Sequence, residues 1–587
     1  MTETARGFHW SEPLFDDKTL DAYARKSGLD ATLSALLLRR EVPAEEVEAF
    51  LHPTLRNLFP DPSSLKDMDV ATELIAKAIL EEKTVAVLAD YDVDGATSAA
   101  QLIRYFRFFG QDLVLYVPDR LKEGYGPSPQ AFETLKSQGV DLVITVDCGA
   151  AAEAALRRAS EIDLDIIVVD HHLMGEDIPA CAALVNPNRP DCESGQGHLA
   201  AAGVVYVLTA SLNRYFRNRL SYKASDLPDL MKNLDLCSLG TLCDMAPLVE
   251  LNRAFVVQGL KILAHDECPG IVALSQVSGR SPPRKVTDLT FGIGPQLNAG
   301  GRIGDPWLAT QLLASLSIEE AIPIAEQLFI LNQARKDIEA DIQNEARKQI
   351  HQLQRHNVDY PVYVVGGEGW HPGIIGIVAG RLKDEFHRPV AVVGWGEQFG
   401  DVGKGSARSV AGLNIGKAIS AAAEAGVLIT GGGHAMAGGF SIEPERMQDF
   451  RDFLSTYFAN VEKELDDARA VQIDFDVLVS AMTPRFIDVV EQAGPYGAAA
   501  TKPVVRVKNA QIVFSRVIGA NHLKVTLDDG SGRISAIAWR AAETDLGSLL
   551  QKGQTVDLIG YPERDEWGSA RGQNSVQIEI IDAVKKN

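Results

Sequence analysis

Three aspartates at alternate positions, Asp90, Asp92 and Asp94 in LADYDVDGATS, crowd one short turn that Gly95 closes. Carboxylates packed this closely repel one another and raise one another's pKa unless cations hold them charged, so a divalent metal ion is the economical reading. A single Asp would be explained as the cap of a helix start; three are not. Asp147 ends the run DLVITVD ahead of Cys148-Gly149, a turn that aims its carboxylate at the same crevice, although alone it would serve equally well as a cap. Asp170-His171-His172 ends the run LDIIVVD. It joins a carboxylate to two imidazoles, groups that ligate Mn²⁺ or Zn²⁺ and orient each other by hydrogen bonds. In isolation two adjacent histidines would be plain surface residues; beside the other clusters that reading weakens.

What must position these groups is a sheet. From about Thr84 to Asp170 one pattern recurs: an apolar β-rich run, an acidic turn, then a helical stretch. TVAVLAD, DLVLYV, DLVITVD and LDIIVVD are continuous rather than alternating, as parallel strands buried on both faces are. The expected fold class is therefore α/β with a doubly wound parallel sheet, whose ligands bind beyond the carboxyl ends of the strands. All three acidic clusters fall there.

A chain of 587 residues exceeds one hydrophobic core, and the composition, 46% hydrophobic and 23% charged, is that of globular domains. The pattern predicts an N-terminal segment (1–60), the catalytic α/β domain (61–250) and a helical linker region (251–355). A second α/β domain (356–465) and a C-terminal barrel (466–587) follow. The linker carries one long connecting helix from about Ser317 to Arg355, a stretch with no internal Gly and a single early Pro. After Lys502, five short β-rich runs with Gly and Asp-Gly turns suit a small Greek-key barrel of the OB type.

Six scattered cysteines without CxxC pairs argue against a disulfide framework and a zinc site. No apolar run approaches the roughly 18 residues that span a bilayer, and MTETARGFHWSEPLF lacks signal-peptide character, so the expected location is the cytoplasm. The net charge of -22 repels a polyanion, so contact with nucleic acid must rest on local cations or metal ions. Between 501 and 540 the cations Lys502, Arg506, Lys508, Arg516, Lys524, Arg533 and Arg540 face only Asp528 and Asp529, a local excess of +5. Phe514, Trp539, Tyr561 and Trp567 interleave with basic residues, the pairing that single-strand binders use, and about half of them belong to the barrel core.

The ordered set DYDVDG, TVDCG, VVDHH and LGTLCDMAPL resembles the DHH phosphoesterases, named for the triplet that stands here as Asp170-His171-His172. The resemblance continues through FGIGPQLNAGGRIG, GEGWHPGIIGIVAGRL, GSARS and GGGHAMAGGF, the last three looking like a DHH-associated domain. With a basic barrel appended it covers nearly the full chain, and the whole looks like the members that degrade single-stranded DNA from the 5' end. It implies two divalent ions, Mn²⁺ or Mg²⁺, held by Asp92, Asp94, Asp147, His171 and Asp244, with Asp147 bridging and Asp90 a further ligand. His172 would face the scissile phosphate and Asp170 would fix the imidazoles. The chemistry implied is metal-activated hydrolysis of a phosphodiester, releasing 5'-phosphomononucleotides.

For the terminal phosphate the family pattern supplies Arg120, Arg302, Ser406 and Arg408; planar guanidinium forks grip phosphate oxygens in pairs, though each Arg could equally sit in a structural ion pair. The glycine-rich stretch with Gly433 and His434 permits close backbone approach to phosphate or sugar, and Tyr125 either stacks on a base or fills a domain junction. Trp370-His371 reads as a core aromatic with a satisfied histidine, or as a stacking platform. One element departs: GPYGAAATKPV stands where family members often carry a Phe-Gly-x-Gly-Asn-like element, so the resemblance assigns that loop no contact. The implied partners are single-stranded DNA, a single-strand-binding protein and a helicase, with no membrane, for a monomer working in DNA repair and recombination. Small-substrate phosphodiesterases of the family are shorter and lack a barrel; a non-catalytic scaffold would have lost ligands that are all present here.

Overall fold

The computed structural model describes residues 4–120, 122–265, 267–355, 360–396, 400–565 and 576–586. A short strand, β1 (His9–Ser11), precedes the catalytic sheet of β2 (Val85–Ala89), β3 (Val114–Tyr116), β4 (Leu142–Val146), β5 (Asp165–Val169) and β6 (Ala183–Val185). Its order is β3-β2-β4-β5-β6 and every pair is parallel. Every residue of β2 and β4 is buried, the consequence of β-branched and apolar runs covered on both faces. Helix 93–108 covers one face. Helices 129–137 and 153–161 cover the other, with Phe132, Leu135 and Leu156 against Leu88, Val143 and Val168. The chain reverses its winding between β2 and β4, so the crevice at the switch point opens where Asp90 and Asp147 leave their strands.

The expected connecting helix runs Ile318–Arg355, about 57 Å at 1.5 Å per residue. Its apolar stripe changes owner along its length: Ala321, Ala325 and Leu328 belong to the catalytic core, while Ile342, Ala346 and Ile350 belong to the next domain. In the buried polar midsection Arg335 donates to Glu339 Oε2 at 2.5 Å and to Asn332 Oδ1 at 2.9 Å, and Arg381 pairs with Glu339 from the next domain.

The second α/β domain holds β7 (Tyr363–Glu368), β8 (Val390–Gly396), β9 (Gly400–Arg408), β10 (Thr430–His434) and β11 (Ala437–Ile442) in the order β10-β11-β9-β8-β7. The glycine-rich stretch forms a two-stranded hairpin, with His434 opposite Ala437 and Gly433 opposite Gly438. Glycine allows the close cross-strand approach: a Cβ at Gly433, whose φ is +152°, would fall 2.4 Å from the Ala437 carbonyl oxygen.

Strand β12 (Ala470–Gln472) pairs in parallel with β1, and β13 (Phe475–Asp476) adds to the barrel of β14 (Val505–Ile518), β15 (His522–Asp528), β16 (Arg533–Ala538), β17 (Thr555–Arg564) and β18 (Val576–Lys585). The order β14-β15-β16-β18-β17 closes through a β14–β17 pairing, which removes the sheet edges. The N-terminal segment clasps this barrel: Trp10 Nε1 donates to Asp582 Oδ2 at 3.1 Å, Arg39 pairs with Asp474, and Arg506 pairs with Glu12 at 2.7 Å. The divergent GPYGAAA loop is a joint to the catalytic domain, where the Leu248 amide donates to the Ala498 carbonyl and Arg253 donates to that of Gly494. Among the described residues no helix is long and apolar enough to cross a membrane.

The barrel's expected basic surface needs correction. Arg506 and Lys508 pair with Asp476, Arg533 with Asp528, Lys524 with Asp565 and Lys502 with Glu579. Arg516 and Arg540 are left without a carboxylate partner among the described residues. Most of the run of basic letters is compensated, largely by acids outside it: Asp476, Asp565, Glu579 and Glu12. Phe514 and Trp539 stand exposed, Tyr561 is half-buried, and Trp567 lies outside the described residues.

Candidate metal centre and phosphate cleft

Each donor at the strand ends is placed by backbone geometry. Asp92 caps the helix Val93–Phe108, accepting from the amides of Asp94 at 2.8 Å and Gly95 at 3.2 Å, where the helix dipole favours a negative charge. Gly95 has to be glycine: a Cβ there would sit 2.4 Å from the Asp90 carbonyl oxygen. Asp94 is buried and accepts from the amides of Ala201 and Ala202 at 2.7 and 2.9 Å, at the start of helix Ala201–Leu220. Asp147 adopts φ 60°, a left-handed conformation open to Asp, which turns its side chain off the strand axis into the crevice. Asp244 follows the helix Leu234–Cys243 at its carboxyl end, where the dipole is unfavourable to another negative charge.

These elements bring Asp90, Asp92, Asp94, Asp147, His171, His172 and Asp244 together in three overlapping triplets: Asp90-Asp92-Asp147, Asp94-His171-Asp244 and Asp147-His171-His172. His171 Nε2 lies 3.2 Å from Asp147 Oδ1 and 3.8 Å from Asp94 Oδ2, and its Nδ1 lies 3.9 Å from Asp244 Oδ2. Burial and then the mutual repulsion of the carboxylates push Asp90, Asp94 and Asp147 well above the ordinary range and Asp244 up to about 7. Burial and then the charge of His172 pull His171 down to about 4. Burial also opposes the charge on His172, but Asp170 outweighs it by hydrogen bond and charge and holds that imidazole up at about 9.

Asp170 is built into the frame rather than into the triplets. Its Oδ1 accepts from the amides of His171 and His172 and from His172 Nδ1 at 2.7 Å, and its Oδ2 accepts from the Ala150 amide at 2.9 Å. Tyr125 stands beside these donors. It is 56% exposed, its hydroxyl meets His172 Nε2 at 3.1 Å, and it donates to the Asp147 carbonyl.

Divalent cations fit this donor set. Asp90 Oδ1 and His171 Nε2 are buried without a hydrogen-bond partner, and a buried polar atom left unpaired is costly unless something absent from the chain satisfies it. Oxygen-rich ligands with one or two imidazoles suit Mn²⁺ or Mg²⁺.

Beside these candidate donors lies a cleft of about 140 Å³ lined by Asp119, Arg120, Gly301, Arg302, Gly304 and His371. The Arg120 guanidinium sits 5.2 Å over the ring of Tyr91, the residue between Asp90 and Asp92, so the cleft and the carboxylates share a wall. Burial, and then the charge of Arg120, lower Arg302 to about 10 and lower Arg408. Arg302 donates to the Gly373 carbonyl at 3.2 Å and Arg408 to Ser406 Oγ at 3.1 Å. None of the three arginines pairs with a carboxylate among the described residues, which removes the structural ion-pair reading. Ser406 and Arg408 face Gly439 and Ala437 across the sheet, which puts the Gly433–His434 end of the hairpin two strands away.

Trp370 is a core aromatic, its Nε1 donating to Glu345 Oε2 at 2.9 Å. His371 is not merely satisfied: its Nδ1 accepts from the Gly373 amide, and the ring lines the cleft. Tyr91 and a pair of asparagines, Asn186 and Asn188, escaped the sequence reading, which took His371 only as a satisfied histidine or part of a stacking platform. The letters NPN after a short apolar run were the available signal for the asparagines.

Comparison with known proteins agrees with this arrangement. The models described as DHH family, N-terminal domain, DHHA1 domain and RecJ OB domain match residues 84–241, 357–460 and 473–582. The single-stranded-DNA-specific exonuclease RecJ of Dickeya dadantii is 34% identical over 90% of this chain and 92% of its own length. That of Escherichia coli K12 is 33% identical over 93% and 98%. The crystal structure of Thermus thermophilus RecJ in complex with Mn²⁺ superposes with a TM-score of 0.79 at 26% identity, covering 99% of this chain and 80% of that one. A second RecJ structure from that organism holds Mg²⁺, with a TM-score of 0.74, 25% identity, and coverage of 99% and 79%. With three domain models in series and relatives above 30% identity along almost its whole length, the chain belongs to the RecJ family of single-stranded-DNA-specific exonucleases.

Proposed function

We propose that this protein degrades single-stranded DNA from its 5' end by two-metal-ion hydrolysis, releasing 5'-phosphomononucleotides in DNA repair and recombination. The observation that carries the reading is the convergence of three donor triplets at the switch point of a doubly wound sheet. Asp90, Asp92, Asp94, Asp147, His171 and Asp244 would hold two ions, Mn²⁺ or Mg²⁺, with Asp147, common to two triplets, shared between them. When bound, such ions supply an activated water and neutralise charge developing on the phosphoryl and leaving oxygens.

The chain's own residues do the remaining work. Asp170 holds the His172 ring by Nδ1, leaving Nε2 and the Tyr125 hydroxyl turned towards the scissile phosphate. Arg120, Arg302, Arg408, Ser406 and His371 form a cationic, donor-rich end stop for a terminal 5'-phosphate, which would set both polarity and register. The backbone at Gly433 and the exposed His434 extend that wall, and Tyr125 offers a face to the first base. Exposed Phe514 and Trp539 on the barrel take bases further along the strand. The protein would act as a cytoplasmic monomer with a single-strand-binding protein and a helicase, partners that supply unwound strand.

The test is an assay with end-labelled single and double strands in Mn²⁺, Mg²⁺ or chelator, reading product length from each end. Mononucleotides released from the 5' label of single strands, only with metal, are the expected result. Cleavage in chelator, or release from the 3' end first, would refute the reading.

A further inference from the structure

The dipeptide His171-His172 leaves the end of β5 with no backbone partner of its own. Both amides donate to Asp170 Oδ1, at 2.7 and 3.2 Å, and both carbonyls accept from side-chain amides. Asn188 Nδ2 donates to the His171 carbonyl at 2.6 Å and Asn186 Nδ2 to that of His172 at 2.9 Å. Among the described residues, none of these four polar groups bonds to another backbone group. Helix and strand ladders fix most dipeptides; here side chains replace the ladder, so the backbone from which the imidazoles project is only as well placed as those side chains are.

The two asparagines form a bracket. Asn186 follows β6 directly and is fully buried, and its Oδ1 accepts from the Asn188 amide at 2.8 Å. Asn188 Nδ2 also donates to the Gly197 carbonyl at 3.1 Å, and a Cβ at Gly197 would fall 2.5 Å from Asn188 Oδ1, so glycine admits the asparagine head there. Arg189, also buried, ties the turn down by donating to the Leu184 carbonyl and pairing with Asp67 at 2.7 Å.

We propose that Asn186 and Asn188 are positioning residues of the metal centre: by clamping the two histidine carbonyls they fix where the His171 and His172 rings stand among the carboxylates. Neither side chain belongs to the donor triplets. This rests on the ligand set proposed above. Groups that orient a metal ligand without touching the ion typically matter by about 10- to 100-fold in metal affinity or activity.

The test uses the full chain and two variants, Asn188→Ala and Asn188→Leu. The second keeps side-chain bulk and loses only the amide. Mn²⁺ binding by calorimetry is read beside kcat, KM and the melting temperature in chelator. Both variants are expected to bind Mn²⁺ about 10- to 100-fold more weakly, with KM for the strand and the melting temperature of the chelated protein little changed. Mn²⁺ affinity within twofold of wild type in Asn188→Leu overturns the proposal. So does a drop in chelated melting temperature while the folded fraction binds Mn²⁺ normally, the signature of a merely structural role. A wild-type chain that binds no Mn²⁺ overturns the ligand set itself and this inference with it, whereas normal Mn²⁺ binding without DNA cleavage sinks only the exonuclease reading.

Discussion

Charge is dense both at the strand ends of the catalytic sheet and on the wall of the barrel, and the two regions treat it in opposite ways. At the strand ends, buried carboxylates outnumber the one charged imidazole among them, His172, and two buried donor atoms, Asp90 Oδ1 and His171 Nε2, remain without hydrogen bonds. On the barrel, Arg506 is nearly buried yet answered on both sides by Glu12 and Asp476, and most of its basic neighbours have acids of their own. Charge that the fold leaves uncompensated marks chemistry, and charge that it compensates marks structure. A count of basic letters cannot tell the two apart, because most of the compensating acids, such as Asp476 and Glu12 for Arg506, sit tens to hundreds of positions away.

The largest expected effect is at the uncompensated end. Asp147→Ala removes the carboxylate common to two triplets and should lower cleavage by about a thousandfold or more, while strand affinity in chelator stays close to wild type. Single-turnover cleavage together with fluorescence anisotropy measures both; turnover within tenfold of wild type would mean that the shared ligand is elsewhere.

Next comes the cleft, where cations lack acidic partners. Arg408→Ala should cost about 10- to 100-fold in kcat/KM on 5'-phosphorylated strands, the worth of one charge-assisted contact of about 1.5–3 kcal/mol, and far less on 5'-hydroxyl strands. Equal losses on both substrates would detach the cleft from end recognition.

The barrel offers the matched pair. Trp539→Ala is expected to weaken long-strand binding by about tenfold, from roughly 1–3 kcal/mol of lost base stacking. Arg506→Gln should lower the melting temperature and leave strand affinity within about twofold, its charge being already spoken for. If Arg506→Gln is the variant that releases DNA, the distinction between compensated and uncompensated charge fails.

The smallest effect concerns pH. In the absence of cations Asp244 stands at about 7 against an ordinary 3.8. A carboxyl raised on folding favours the folded state below about pH 4, and that contribution is lost as pH climbs towards 7, because the charged form is the one the site resists. Bound cations reverse the preference, so Mn²⁺ should raise the melting temperature a few degrees more at pH 8 than at pH 5. An equal or larger rise at pH 5 would say that the ions bind elsewhere.

The catalytic sheet was legible because its signals are local: a continuous apolar run, then an acid at its end, repeated within 90 residues. The connecting helix was legible for the same reason, its observed start at Ile318 falling one residue from the expected one. What stayed hidden depends on distant pairing. Strand β6 is three residues long and is defined by its neighbour rather than by its own composition. His371 reaches the Arg120–Arg302 cleft from the second domain, after an intervening helix of 38 residues. Asn186 and Asn188 look like ordinary turn residues until the carbonyls they hold are in view.

The pairing of β1 with β12 bears on how the molecule comes into being. Residues 9–11 await partners some 460 positions downstream, which at ordinary rates of synthesis is a delay on the order of half a minute. Throughout that interval β1 lacks its partner strand while the catalytic sheet between them is completed. Birth order and spatial order thus disagree: β1 is made before the whole catalytic sheet yet can be seated only after β12 has followed it, far downstream.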